Sequence, residues 1–425
     1  MAGRGPLTED LIMEEDEKQL LEAEKQIWRK GFSCGVLFSA IVIAVICYFG
    51  QPAALTVWKD GGLTPKQAKS VVNKTDALLR KLDENYIETL DDQELLDGAY
   101  HGLVTAVGDK YTRYYDEEEY KEYRESSTGQ YVGIGVTVRL AADGGAEITS
   151  VEETGPAYEA GLRAGDIIVG VDKNDVRSLE LAEIVKLIKG EEGTKVNLTY
   201  VSVVSGREEN VEVTKKTIES STVASEWLEE GIGYIQIKSF DGVTTEQFKT
   251  ALKDLDSAGL EGLIVDLRDN PGGRLDVVQK VTNELVPAGI ITYTEDKNGE
   301  KEIYESSDDP FLDVPLVVIV NENSASASEI MAGAIQDREV GVLVGTTTYG
   351  KGIVQVTSAF EDDTAIKVTT AKYYTPNGNY IHQIGIQPDI EIDLPNDIEF
   401  AELVSREDDV QLQTAIEALK TQMGR

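Results

Sequence analysis

The chain has 425 residues, long for one domain, so two or three units are expected. Its formal net charge of −37 excludes a nucleic-acid binder, which needs Lys and Arg patches for phosphate, and suits a self-repelling soluble surface. The two cysteines, Cys34 and Cys47, share one apolar stretch and the two histidines, His101 and His382, are isolated, so no disulfide framework, zinc site or cofactor is expected.

That stretch, residues 31–58, contains no charged side chain, with Arg29 and Lys30 before it and Lys59 and Asp60 after it. About 20 apolar residues cross a hydrocarbon core of about 30 Å. The flanking charges predict a signal anchor with residues 1–30 in the cytoplasm and the rest outside. Thr64-Pro65-Lys66-Gln67 then opens a helix, with a cap, a first-position proline and the reciprocal Gln. Asp91 and Glu94 open a second, carrying His101 as a structural residue, and residues 64–128 read as helical throughout.

Residues 131–215 read as a β-rich module. Gly133-Ile134-Gly135-Val136-Thr137-Val138 opens with glycines and alternates like a strand. Ala157-Tyr158-Glu159-Ala160-Gly161-Leu162-Arg163-Ala164-Gly165-Asp166-Ile167-Ile168 reads as a short helix, a turn and a strand entry; residues 181–188 are helix-patterned and residues 195–203 strand-patterned. This order resembles a PDZ domain. In such a domain Gly133, Ile134, Gly135 and Val136 would present N–H groups to the C-terminal carboxylate of a peptide, which adds as a strand. Leu187 or Ile188 would complete an apolar lining.

Strands and helices alternate over residues 216–395, as in an α/β domain. Residues 262–267 and 316–320 are near-continuous apolar runs, expected of strands covered on both faces. The first ends in Arg268-Asp269-Asn270-Pro271-Gly272-Gly273. The second leads to Asn323-Ser324-Ala325-Ser326-Ala327-Ser328-Glu329 and a helix-patterned run, residues 329–336. Residues 396–425 close the chain with an amphipathic helix that could pack on the core or on a second subunit.

A hydroxyl at a strand-to-helix turn sits where a helix dipole stabilises negative charge. With so few histidines, a lysine is the economical base for a serine nucleophile. Lys351 lies between Gly350 and Gly352 with no acid closer in sequence than Glu339 or Glu361, which suits a desolvated amine. If the segment is extended, Lys351, Ile353 and Gln355 share a face, and the Gln355 amide could orient the amine. The N–H of Ala327 and the Gly272-Gly273 turn are the candidate oxyanion donors. The run Gly345-Thr346-Thr347-Thr348-Tyr349-Gly350-Lys351-Gly352 also fits the start of a phosphate-binding loop. It lacks the closing Ser or Thr, and strand-patterned residues follow where a helix should, so a nucleotide site is set aside.

Taken together, Asp266-Leu267-Arg268-Asp269-Asn270-Pro271-Gly272-Gly273, Ser324-Ala325-Ser326-Ala327-Ser328-Glu329 and Tyr349-Gly350-Lys351-Gly352-Ile353-Val354-Gln355 resemble the signature blocks of the C-terminal processing peptidases. Gly108-Asp109-Lys110-Tyr111-Thr112-Arg113-Tyr114 resembles the block before that family's PDZ domain. The resemblance implies Ser326 as nucleophile, Lys351 as base and Gln355 as its partner. It implies a crotonase-like α/β core with an inserted PDZ domain, acting outside the cytoplasm on protein substrates with free C-termini, and a homodimer is compatible with it.

Overall fold

The computed structural model describes residues 63–152, 154–229, 231–307, 311–394 and 405–425. The expected membrane span and cytoplasmic tail lie outside the described residues; among those described, no helix is long and apolar enough to cross a membrane. The chain divides into two units, residues 1–96 and 97–425.

Helix α1 (Pro65–Asn85) starts at the capping box Thr64/Gln67, with Pro65 in its first turn. It buries no residue, and Val71, Val72, Leu78 and Leu82 are exposed. Helix α2 (Asp92–Thr105) follows. The helical region expected up to residue 128 is then broken by strand β1 (Arg113–Tyr115), after which α3 (Glu117–Thr128) begins at the Asp116/Glu119 capping box and ends at left-handed Gly129. Strand β1 has no local signal because its partner lies far along the chain.

The inserted module runs β2 (Gln130–Gly133), β3 (Val136–Leu140), β4 (Ala146–Val151), α4 (Pro156–Glu159), β5 (Ile167–Val171), β6 (Asn174–Asp175), α5 (Leu181–Ile188), β7 (Lys195–Val201), β8 (Glu208–Thr214) and β9 (Lys216–Glu219). Its antiparallel sheet has the order β3-β4-β5-β7-β8, with β6 on β5. Ile148, Leu162, Ile168, Ile184, Val196 and Leu198 fill a core of its own. Strands β2 and β9 pair as a separate ribbon at the entry and exit of the module.

The remaining elements are β10 (Val223–Glu229), β11 (Ile232–Ile237), α6 (Thr244–Ser257), β12 (Gly262–Asp266), α7 (Leu275–Asn283), β13 (Gly289–Asp296), β14 (Lys301–Ser306), β15 (Leu316–Val320), α8 (Ala327–Asp337), β16 (Val342–Gly345), β17 (Ile353–Ala359), β18 (Ala365–Tyr374), β19 (Ile390–Glu391) and α9 (Val410–Gln422). Six strands form one sheet in the order β10-β11-β12-β15-β16-β19, parallel apart from β10. Alternation sends Leu263, Val265, Val318 and Val320 to a core shared with α6, α7 and α8. It sends Ile264, Val317 and Ile319 to the other face, where Leu412, Ala415, Ile416 and Leu419 of α9 cover them. The C-terminal helix therefore packs on its own core. A second, antiparallel sheet has the order β1-β18-β13-β14, with β17 also on β18, so β1 from before the module is part of it.

The loop after β12 is fixed by a buried ion cluster. Arg268 donates to Asp266 at 2.6 Å, to Asp409 at 2.9 Å and to Gln411 at 3.2 Å, and the Tyr234 hydroxyl donates to Asp266 at 2.7 Å. Breaking such a buried pair by removing one partner costs about 3–5 kcal/mol, so the clamp holds the loop rigidly to the start of α9.

Candidate active site

Three turns converge at the C-terminal ends of β12, β15 and β16. Asn270 stitches the first two together. Its side chain donates to Ile237 O at 2.8 Å, and its carbonyl accepts from Ala325 N–H and the Ser328 hydroxyl, both at 3.0 Å. Gly272 has φ +103°, and a Cβ there would lie 2.6 Å from Ala325 O and 2.8 Å from Ser326 Cβ. Only glycine lets the Asn-Pro-Gly-Gly turn approach the serine loop this closely.

The three serines of that loop have different fates. The Ser324 hydroxyl is buried, donating to Leu267 O at 2.8 Å and accepting from Asn321 N–H at 2.9 Å. The Ser328 hydroxyl is buried on Asn270. Ser326 is half-buried at the start of α8 with φ +56° and ψ −111°, a conformation a non-glycine residue holds only when its surroundings impose it. Its hydroxyl takes the capping-box position over the Glu329 N–H without reaching hydrogen-bond geometry and, among the described residues, makes no other hydrogen bond.

Glu329, fully buried, imposes that conformation. Its carboxylate accepts from Ser326 N–H and Lys351 N–H, each at 2.8 Å, from Gly350 N–H at 2.7 Å and from the Thr348 hydroxyl at 2.6 Å. Tyr373 adds a bond from its buried hydroxyl to Ser326 O at 3.1 Å. One carboxylate thus ties the serine turn to the lysine loop. Sequence reasoning assigned Glu329 no such role.

Lys351 is half-buried and forms no ion pair among the described residues. Burial, and then the positive charge of Lys367, hold its pKa below the ordinary lysine value against the opposing pull of Glu329. Ser326, Ala327, Gly272, Gly273, Lys351 and Gln355 all line one cleft of about 1020 Å³, which neither histidine lines.

Two details of the expected site are revised. The alternation placing Lys351, Ile353 and Gln355 on one face is interrupted, because Lys351 precedes β17 and a register shift falls between Val354 and Gln355. The Gln355 amide points instead to Ile353 O at 3.4 Å and Thr369 Oγ1 at 3.5 Å, and among the described residues it makes no hydrogen bond to Lys351. Of the two glycines, Gly272 donates its N–H to Asn270 Oδ1 at 2.8 Å, leaving the N–H groups of Gly273 and Ala327 without an acceptor among the described residues. After Lys351 comes strand β17, not the helix a phosphate-binding loop requires.

A second groove, of about 410 Å³, lies in the inserted module. Gly133, Ile134, Gly135 and Val136 line it with Val138, Val185 and Ile188. The N–H groups of Ile134 and Gly135 meet no acceptor among the described residues, while their carbonyls accept from Ala157 and Glu152. The Ile134 side chain is 2% exposed and mostly fills the module's core, and Leu187 points outward, so Val185 and Ile188 form the apolar wall. Helix α3 supplies Glu122, Glu125 and Ser126 to this groove and Tyr123, Ser126 and Ser127 to the catalytic cleft.

Residues 231–392 match the model of peptidase family S41, residues 147–201 that of the PDZ domain and residues 56–119 that of the activating protease CtpB N-terminal domain. The carboxy-terminal processing protease CtpA of Bacillus subtilis (strain 168) is 34% identical over 368 residues, covering 85% of this chain and 78% of that protein. The chain belongs to the C-terminal processing peptidases. A probable CtpA-like serine protease of Staphylococcus aureus (strain COL) is likewise 34% identical, over 85% of this chain and 71% of the relative. Among solved structures, a photosystem II D1 C-terminal processing protease is 28% identical, with a TM-score of 0.45 over 74% of this chain and 87% of that one. As a C-terminal processing peptidase the chain is a serine protease with a PDZ domain on a mixed α/β core.

Proposed function

We propose that this chain is a membrane-anchored endopeptidase that cleaves extracytoplasmic proteins with a Ser326/Lys351 dyad and selects them by their C-terminal tails. One observation carries the dyad. Of the three serines only Ser326 offers a free hydroxyl, at a strained turn, in a cleft shared with a lysine that has no carboxylate partner. The neutral Lys351 amine takes the Ser326 proton as Oγ bonds to the substrate carbonyl carbon, and the carbonyl electron pair moves to oxygen. The free N–H groups of Ala327 and Gly273 receive that oxyanion. The lysine ammonium then protonates the leaving amine as the C–N bond breaks, and water repeats the sequence on the acyl-enzyme. Gln355 lines the same cleft as Lys351, and its partner role toward the amine rests on that shared lining.

In the module, the free N–H groups of Ile134 and Gly135 donate to a terminal carboxylate beside the Val136, Val185 and Ile188 wall. A substrate with a free apolar tail should be cleaved faster than the same substrate with an amidated or an acidic tail, because the first loses its charged acceptor and the second buries an unpaired charge. Steady-state cleavage of the three by the full enzyme is the measurement, and equal rates would remove the module as the reader of tails.

The uncharged run 31–58 after Arg29 and Lys30 supports an anchor with the catalytic unit outside. Protease added to intact cells should then digest residues beyond 60 and spare residues 1–30; a protected catalytic unit would reverse the orientation.

A further inference from the structure

Lys351 does not face solvent alone. Its Nζ lies 4.9 Å from the ring centroid of Tyr111, a residue delivered from before the PDZ insertion. Strand β1 brings it there, pairing Arg113 with Lys367 and Tyr115 with Ala365 on β18. Asp109 pins the same turn, accepting from the Thr369 hydroxyl at 2.6 Å and the Thr112 hydroxyl at 2.7 Å. Lys110 Nζ lies 4.8 Å from the same ring centroid and donates to the Tyr349 hydroxyl at 3.0 Å. The ring is thus held at its backbone by β18, and through Lys110 it is linked to a residue two positions before the lysine.

The other charged and titratable groups around the amine do not take this place. The Glu329 carboxylate is engaged by four donors. Lys367 and Lys110 repel an ammonium, Tyr349 accepts from Lys110, and buried Tyr373 bonds to Ser326 O. His382 accepts from Gly352 N–H at 3.3 Å.

We propose that Tyr111 is the positioning residue of the catalytic base, its ring face holding the Lys351 side chain at the cleft and stabilising the ammonium that forms when Ser326 gives up its proton. This rests on Lys351 being the base. A ring face attracts a cation far less than a buried carboxylate does, so it steadies the ammonium without trapping the resting lysine in that form.

The test compares Tyr111→Leu, Tyr111→Met and Tyr111→Phe with Lys351→Ala in the full chain, reading kcat, KM and the pH dependence of kcat/KM. Leu and Met, which lack a ring, should lower kcat on the order of ten-fold with KM nearly unchanged. They should also move the acid limb of the profile to lower pH by roughly half a unit to one unit, because losing the ring disfavours the charged form. Phe keeps the ring and should retain the profile and most of the kcat. Wild-type behaviour of either folded ringless variant would overturn the proposal, as would a Phe variant as impaired as they are. Activity surviving in Lys351→Ala would instead remove the dyad itself.

Discussion

Ser326→Ala is expected to abolish peptide hydrolysis, on the order of 10⁴-fold or more, while leaving the thermal melt unchanged. The second half follows from the structure as directly as the first, because the Ser326 hydroxyl makes no internal hydrogen bond that its removal could break. Ser324→Ala and Ser328→Ala should behave in the opposite sense. Each removes a buried hydroxyl bonded to backbone, costing about 1–3 kcal/mol of stability, yet the folded protein should still hydrolyse peptide. Denaturant melts beside single-substrate kinetics on the three variants read the contrast, and an active Ser326→Ala variant would refute the nucleophile.

Lys351→Ala should be equally silent in the melt and equally inactive, whereas His101→Ala and His382→Ala should retain most activity. The base must be neutral, so kcat/KM should rise with pH to an alkaline plateau. Because Lys367 favours the neutral amine, Lys367→Met should raise the pKa of Lys351 and move the rising limb to higher pH. A limb that stays in place, or moves to lower pH, would remove Lys367 from the electrostatics of the base.

Glu329→Gln carries the other large effect. Two carboxylate oxygens now accept four hydrogen bonds in a fully buried site. An amide keeps one oxygen and turns an NH₂ group toward two donors, leaving buried N–H groups unpaired at about 1–3 kcal/mol each. The variant should lose several kcal/mol of stability. Even under conditions where it is folded, its kcat should fall on the order of 100-fold, because the serine turn and the lysine loop lose their common anchor. Wild-type kcat in a folded Glu329→Gln protein would show that Glu329 is only a helix cap.

That alternative marks the limit of what the sequence discloses. Strands β11 and β15 were legible to the residue, β15 because a run covered on both faces needs continuous Val and Ile, β11 because Ile235 and Ile237 alternate with half-buried Tyr234 and Gln236. Helix α5 was legible for its amphipathic period. The β13–β14 hairpin was overlooked although Asn298-Gly299 marks its turn, since the polar residues around that turn hide any alternation. In the site, Ser324, Ser326 and Ser328 are alike to any rule of helix capping, and only the fold separates two buried hydroxyls from a free one. Glu329 sits three residues after Ser326, so its local pattern explains it completely and conceals the bonds it makes to Gly350 and Lys351. The contact of Tyr111 with Lys351 depends on β1 finding β18, which no local window contains.

The pairing of β1 with β18 also sets when the cleft is completed. Asp109 and Thr369 are 260 positions apart, with the whole PDZ module and most of the peptidase core between them. Closing so long a loop must precede any reward from its contacts, which makes this pairing a late event in folding. The serine turn and the lysine loop, tied together by Glu329, are thus both synthesised before β18 can meet β1, and α9 cannot cover the sheet until residues 410–422 are made. The catalytic cleft, which Lys367 and Tyr373 of β18 help to line, is therefore among the last parts of the fold to be completed.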